Sequence, residues 1–290
     1  MLGIARERPR REGAERGTTL AVASPKTVVI TGASSGIGEA LAVQYARSGV
    51  LLGLVGRDST RLEQVAERCR AAGAELRTAL IDVRDRKALG DWLLGFDRLS
   101  PIDLLIANAG TSTGTPPGQR VEDPDAAYLL MEINVLGVQN TVQPVLSLML
   151  ARGRGQIAIM GSISALVPMR DWPSYGASKA CIVQYGLALR DRVYATGVRV
   201  NVLCPGYTTT PLTNRILGWR PFEMTPDIAA SRIVRGLARD REFIAFPWPL
   251  VVLSRMAALL PGGLRRVAMI PFRFRIAPAS GPDGKAGGNP

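Results

Sequence analysis

A chain of 290 residues, 47% hydrophobic and 21% charged, has the composition of a globular protein and the length for a large buried core. It contains no histidine, which excludes histidine-ligated metal sites and Ser-His-Asp or Cys-His catalysis. The formal charge of +12 admits nucleic acid, an anionic membrane or a phosphorylated ligand as partner.

Residues 1–24 are charged and lack an apolar run, so they are no secretory signal, and their glutamates argue against a transit peptide. They are expected to be a disordered extension, or the product of an upstream start codon. Cys69, Cys181 and Cys204 are scattered without C-x-x-C spacing. That pattern predicts reduced thiols in a cytosolic compartment, each a small buried apolar residue.

From residue 27 onward, β-branched apolar runs alternate with helical patterns. "TVVIT" (27–31) predicts a first strand, and it runs into "TGASSGIGEA" (31–40). Gly32, Gly36 and Gly38 there have the spacing G-x-x-x-G-x-G. Such glycines let backbone turn tightly against a pyrophosphate, with the N-terminus of the following helix behind it. The helix is expected over 36–48, with Gly49 as its C-terminal cap. "VLLGLVG" (50–56) predicts a second strand, and Thr60 to Ala72 a helix closed by Gly73.

The end of that second strand is where a dinucleotide site selects its cofactor. An acid accepts from the ribose hydroxyls of NAD, whereas a base pairs with the 2′-phosphate of NADP. Here Arg57 follows the strand at once, and Asp58 and Ser59 read as caps for the next helix. The pattern favours NADP, with NAD the lesser alternative.

A third strand is expected over 74–82, a fourth within 102–110, a fifth over 155–162, a sixth over 198–206 and a seventh over 242–246. Most are apolar on both faces, as buried parallel strands are. The fold class that follows is α/β: one doubly wound, Rossmann-like parallel sheet of about seven strands. No linker divides residues 25–247 into two domains. Asp82, after the third strand, is placed to accept from an adenine amino group or to cap a helix, and "NAG" (108–110) ends the fourth strand on the ligand-binding edge.

Tyr175 and Lys179 stand four residues apart in "PSYGASKA" (173–180), on one face of a helix. A free phenol has a pKa of about 10, and a nearby ammonium favours its ionised form. Thr31, Gly32, Gly36, Gly38, Asp82, Val83, Asn108, Ala109, Gly110, Asn134, Ser162, Tyr175, Lys179, Pro205 and Gly206 occur in the order and spacing of one family. Over about residues 25–247 the chain resembles the short-chain dehydrogenases/reductases.

The resemblance implies an oxidoreductase that interconverts a carbonyl and an alcohol. Tyr175 would be the general acid/base, so no histidine is required. Lys179 would also hold the nicotinamide ribose, Ser162, thirteen residues before Tyr175, would bond the substrate oxygen, and Asn134 would hold a relay water. Ser164 is the neighbouring competitor of Ser162. Ser34, Ser35 and Ile37 in the glycine loop, Val83, and Pro205, Gly206, Thr208 and Thr210 after the sixth strand would complete the cofactor site. Gly161 departs from the family pattern, which often has a serine there, and predicts a looser loop. A dinucleotide sensor without catalysis is the rival reading. Nucleic-acid binding lacks a motif, since the basic residues are dispersed.

"MTPDIAASRIV" predicts a helix with Thr225 as N-cap. Residues 248–278 then form an apolar, basic, helical tail with Arg255, Arg265, Arg266, Arg273 and Arg275 and no acid. Three readings stand: contact with another subunit of a homo-oligomer, a wall of the pocket for a lipophilic substrate, or contact with an anionic membrane surface. Residues 279–290 are expected to be disordered.

Overall fold

The structure is a computed structural model that describes residues 24–277. The expected disordered segments, 1–24 and 279–290, lie outside these residues except for Ser24.

The sheet strands are β1 (Thr27–Thr31), β2 (Leu51–Gly56), β3 (Glu75–Leu80), β4 (Leu104–Ala107), β5 (Gly155–Met160), β6 (Val198–Pro205) and, after a short β7 (Ile216–Gly218), β8 (Phe243–Phe246). Seven of them form one parallel sheet in the order β3-β2-β1-β4-β5-β6-β8. The order reverses between β1 and β4, which opens a crevice beyond their carboxyl ends.

Alternation along the strands sends side chains to two cores. Val28, Ile30, Leu52 and Leu54 pack with α1 (Gly36–Tyr45), α2 (Ser59–Ala71) and α7 (Pro226–Ala238). Val29, Leu105, Ile157 and Ile159 pack on the other face with α3 (Arg86–Leu99), α5 (Gly137–Ala151) and α6 (Pro173–Val193). Every residue of β4 and β5 is buried, which is why these strands read as unbroken apolar runs. α4 (Pro124–Met131) joins α5 through a π-helical turn, Glu132–Leu136.

The boundaries differ locally from expectation. α1 ends at Tyr45, so Gly49, at φ +77°, turns the connection to β2 rather than capping the helix. Gly73, at φ +90°, does follow the end of α2. Asp58 caps α2 by accepting from Arg61 N at 2.9 Å, while Ser59 is already helical. Asp85, not Asp82, caps α3, with Ala88 N at 2.9 Å. Thr225 caps α7 as expected.

The tail is helical only in part. α8 (Trp248–Leu259) and α9 (Gly262–Ala268) lead through a tight turn, Ile270–Phe272, into β9 (Phe274–Ile276). β9 pairs antiparallel with β7, Ile216 opposite Ile276. This two-stranded ribbon ties the end of the described chain to the loop after β6.

Candidate active site

The crevice at the strand reversal is a cleft of about 530 Å³. Its floor requires glycine. Gly32 and Gly36 have φ of +66° and +60°, and a Cβ on Gly38 would stand 2.2 Å from Gly32 O. Asn108 fastens this loop to the end of β4, because its Nδ2 donates to the carbonyls of Thr31 at 3.0 Å and Gly32 at 3.1 Å. Thr31 Oγ1 accepts from the amides of Asn108 and Ala109 in return. No side chain caps α1 at Ser35, which suits an anionic group at that helix end.

The fold brings the expected residues to this cleft with two exceptions. Ser34, Ser35, Ile37, Arg57, Asp82, Val83, Gly110, Pro205, Gly206, Thr208 and Thr210 line it, as do Ser162, Tyr175 and Lys179. Gly38 lies beneath the loop, and Asn134 is fully buried behind it.

Tyr175 and Lys179 lie in the first half of α6, with Lys179 Nζ 5.9 Å from the Tyr175 ring centre. Both are buried. Burial pushes the Tyr175 phenol up to about 12, and the Ser162 hydroxyl acts against that shift. Burial takes the Lys179 ammonium down to about 8. Lys179 Nζ donates to Met160 O at 2.9 Å, which fixes it at the end of β5.

Ser162 follows β5 directly, and its Oγ accepts from Ser164 N at 3.2 Å. Ser164 Oγ itself is buried without a partner among the described residues and does not line the cleft. Gly161 is not loose. Its amide donates to Leu203 O at 2.7 Å, and a Cβ there would meet Val183 at 2.8 Å and Cys204 Sγ at 3.0 Å. Val183 and Cys204 occupy the space a serine would need.

Asn134 sits in the π-helical turn. Its Oδ1 accepts from Thr111 N at 2.8 Å, and its Nδ2 donates to Thr111 O at 3.0 Å and Ser178 Oγ at 3.1 Å. A Cβ on Gly110 would fall 3.2 Å from Asn134 Oδ1 and 3.4 Å from Lys179 Nζ, so a bare backbone separates the two.

At the far end, Arg57 Nη1 is 3.4 Å from Asp82 Oδ2 and its side chain is 58% exposed. Arg84 holds the same carboxylate at 2.9 Å. Partial burial would raise the Asp82 carboxyl, but the Arg84 hydrogen bonds and the Arg57 charge outweigh it and leave the group below the usual range. Arg61, paired with Asp58 at 2.8 Å, also lines the cleft.

A second, smaller cavity of about 60 Å³ adjoins Ser162 and Tyr175. Ile163, Met169, Trp172, Tyr207, Leu250 and Phe272 line it, and among the described residues no charged one does. Leu250, Leu253, Ser254, Met269 and Phe272 come from the tail, so the tail forms a wall of this pocket. Trp172 anchors that wall, with its ring 4.7 Å from Tyr175 and 4.5 Å from Phe274 between centroids.

The sequence model of the family described as short chain dehydrogenase matches residues 26–221, most of the chain and all of the cleft. The chain belongs to the short-chain dehydrogenase family. It is accordingly a short-chain NAD(P)-dependent dehydrogenase/reductase. An uncharacterized oxidoreductase of Myxococcus xanthus is 32% identical over 250 residues, covering 84% of this chain and 96% of its own. A Sphingobium yanoikuyae short-chain dehydrogenase in complex with NADPH is 28% identical, covers 85% of this chain and 96% of its own, and superposes with a TM-score of 0.69. A Mycobacterium paratuberculosis short chain dehydrogenase bound to NAD shares the fold at 24% identity and a TM-score of 0.64, over 73% of this chain and 90% of its own.

Sequence reasoning missed several residues of the dehydrogenase's site. Arg61 was legible as a base one helical turn past Asp58, yet its nearness to the cleft was not. Thr111 lines the cleft from a loop and Thr213 from a three-residue helical turn, both too short for a periodicity to mark them.

Proposed function

We propose that the enzyme interconverts a carbonyl and a secondary alcohol, prefers NADP, and takes an uncharged apolar substrate. One observation carries this reading: Ser162 and Tyr175 line both the dinucleotide cleft and the apolar cavity. A reacting oxygen between the two would meet both hydroxyls.

The cleft residues fit a dinucleotide: a glycine cradle that a Cβ would obstruct, an uncapped helix end for the pyrophosphate, and a buried lysine for the ribose. When bound, the nicotinamide supplies or accepts the hydride. The remaining work falls on the chain. Ser162 donates to the substrate oxygen and polarises the carbonyl. The Tyr175 phenol, protonated at neutral pH as an ordinary phenol is and kept so by burial, gives its proton to that oxygen in reduction. The phenolate left behind is stabilised by the Lys179 ammonium, and oxidation reverses the order. Asn134 holds the Thr111 backbone and Ser178, and so keeps the Gly110 segment open between itself and Lys179, where a relay water would sit.

NADP preference is supported by the fate of the acid that follows β2 in sequence. Asp58 caps α2 and pairs with Arg61, while Arg57 lines the cleft with only a 3.4 Å contact to Asp82 among the described residues. Assembly of copies belongs to the same reading. Tyr128, Leu129, Met131 and Leu136 are exposed around α4 and the π-helical turn, an apolar face that a second copy would cover.

The test is turnover of a ketone and alcohol panel with NADPH, in wild type and Tyr175→Phe. The variant should bind NADPH normally and lose about 10²–10⁴-fold in rate. Near-wild-type turnover by Tyr175→Phe defeats the mechanism.

A further inference from the structure

The tail has a second face that the catalytic reading does not use. α8 buries Leu250 and Ala257, while no residue of α9 is buried. Outward-facing residues include Trp248 at 74% exposure, Leu259 at 79%, Leu264 at 61% and Val267 at 65%, with Val252, Met256 and Ile270 beside them. Monomeric proteins rarely leave so continuous an apolar surface uncovered. Basic residues flank it: Arg266 and Arg273 are exposed and Arg265 half-buried, while Arg255, also exposed, lays its guanidinium over the Phe243 ring at 5.3 Å. Among the described residues, none of these four pairs with a carboxylate. The tail's ion pair is made by Arg275 with Asp171.

We infer that the α8–α9 face docks on an anionic lipid bilayer. Apolar side chains with arginines at their margin and no acid match an interface of acyl chains under negative headgroups. A second copy of this chain fits poorly, because a two-fold contact would set the arginine-bearing, acid-free face against itself. No helix of the described residues is long and apolar enough to cross a membrane, and the docking inferred is peripheral.

The same residues place the pocket at the bilayer. Leu253, half-exposed on α8, and Met269, next to exposed Ile270, both line the apolar cavity. Docking would set the cavity wall against the acyl region, so an apolar substrate would pass from lipid to Ser162 and Tyr175 without crossing water. This route rests on the proposed apolar carbonyl or alcohol substrate, whereas the docking itself does not.

The experiment is co-sedimentation of the full chain, without cofactor or substrate, with vesicles of phosphatidylcholine alone or mixed with phosphatidylglycerol. The wild type should pellet with the anionic vesicles at low salt, less at high salt, and remain in solution with the neutral ones. Arg265→Glu with Arg266→Glu should lower the partition by roughly thirtyfold or more, since each basic residue near the surface contributes about fivefold. Leu264→Glu with Val267→Glu should lower it as well. Unchanged NADPH binding shows that both variants are folded. A wild type that stays in solution with anionic vesicles at low salt overturns the proposal, as does an Arg-reversed variant that pellets like wild type. If the wild type fails to pellet and the variants dissociate an assembly in velocity sedimentation, the face is a subunit contact. Loss of vesicle binding leaves the Tyr175→Phe result untouched, so the two readings fail separately.

Discussion

Arg275 in β9 donates to Asp171 Oδ1 at 2.8 Å, and the Phe274 amide donates to Asp171 Oδ2 at 3.2 Å. Asp171 is buried and lies directly before Trp172 and α6. One carboxylate thus joins the tail to the segment that positions Tyr175. Phe274, held by this contact, packs on Trp172, which packs on Tyr175. The tail wall and the start of the Tyr175 helix are therefore one packed unit.

Asp171→Ala should break that unit. It leaves the Phe274 amide buried without an acceptor, at a cost of about 1–3 kcal/mol. The expected outcome is faster proteolysis within residues 248–277 and a KM for an apolar ketone raised about tenfold. NADPH affinity should be unchanged, because Asp171 does not line the dinucleotide cleft. Limited proteolysis and steady-state kinetics on one preparation test it, and an unaltered KM with a protected tail contradicts it.

The cofactor end gives a second prediction. Arg57 is half-exposed and, among the described residues, held only by a long contact to Asp82, so it is free to turn toward a 2′-phosphate. A charge-assisted bond of that kind contributes about 1.5–3 kcal/mol. Arg57→Ala should weaken NADPH by roughly ten- to a hundredfold and leave NADH nearly unchanged. Arg61→Ala should act in the same direction but less, since Asp58 competes for its guanidinium. Fluorescence titration of both cofactors decides the matter; tighter NADH than NADPH binding by the wild type would reverse the assignment.

The sheet and the gathering of Ser162, Tyr175 and Lys179 at one cleft were legible because each rests on a local signal. Buried parallel strands are apolar on both faces, the glycine loop needs a positive φ at Gly32, and Tyr175 and Lys179 share a helix face by spacing alone. The β7–β9 ribbon was not legible. Each strand has three residues, too few for an alternation to register, and their pairing is between distant parts of the chain. The Asp171–Arg275 contact is hidden for the same reason. Gly161 misled because sequence shows a missing side chain but not that Val183 and Cys204 fill its place. Asp82 lines the cleft as its position suggests, but that Arg84 and Arg57 hold its carboxylate only the folded chain reveals.

The pH dependence of turnover follows from Tyr175. Burial raises its pKa to about 12, so the phenol is protonated across the neutral range and competent to donate. Carbonyl reduction should therefore hold constant from about pH 6 to 8 and fall in alkali as the donor is lost. Alcohol oxidation needs the phenolate and should climb with pH over the same range. Opposite slopes for the two directions are the expected result; a reduction rate that rises with pH would assign the proton to another group.

Lys179 gives the last prediction, on stability without cofactor. Its ammonium is buried, and its pKa falls from 10.5 to about 8. Between those values the unfolded chain binds the proton and the folded chain does not, so stability contributed by this site rises with pH. Below pH 8 both states are protonated and the full burial cost is felt; above 10.5 neither is, and the cost is gone. Lys179→Met removes that cost but leaves the Met160 carbonyl buried without its donor, at a cost of about 1–3 kcal/mol. The net expectation is a gain of about 1–2 kcal/mol at pH 7, a rise in Tm of roughly 2–3 °C for a chain of this size. The gain should shrink steadily as pH rises from 8 toward 10. Thermal melts of wild type and variant at pH 7 and pH 9.5 check both parts. A variant less stable than wild type at pH 7 would mean that the ammonium is compensated within the folded chain, with its cost already offset before any cofactor binds.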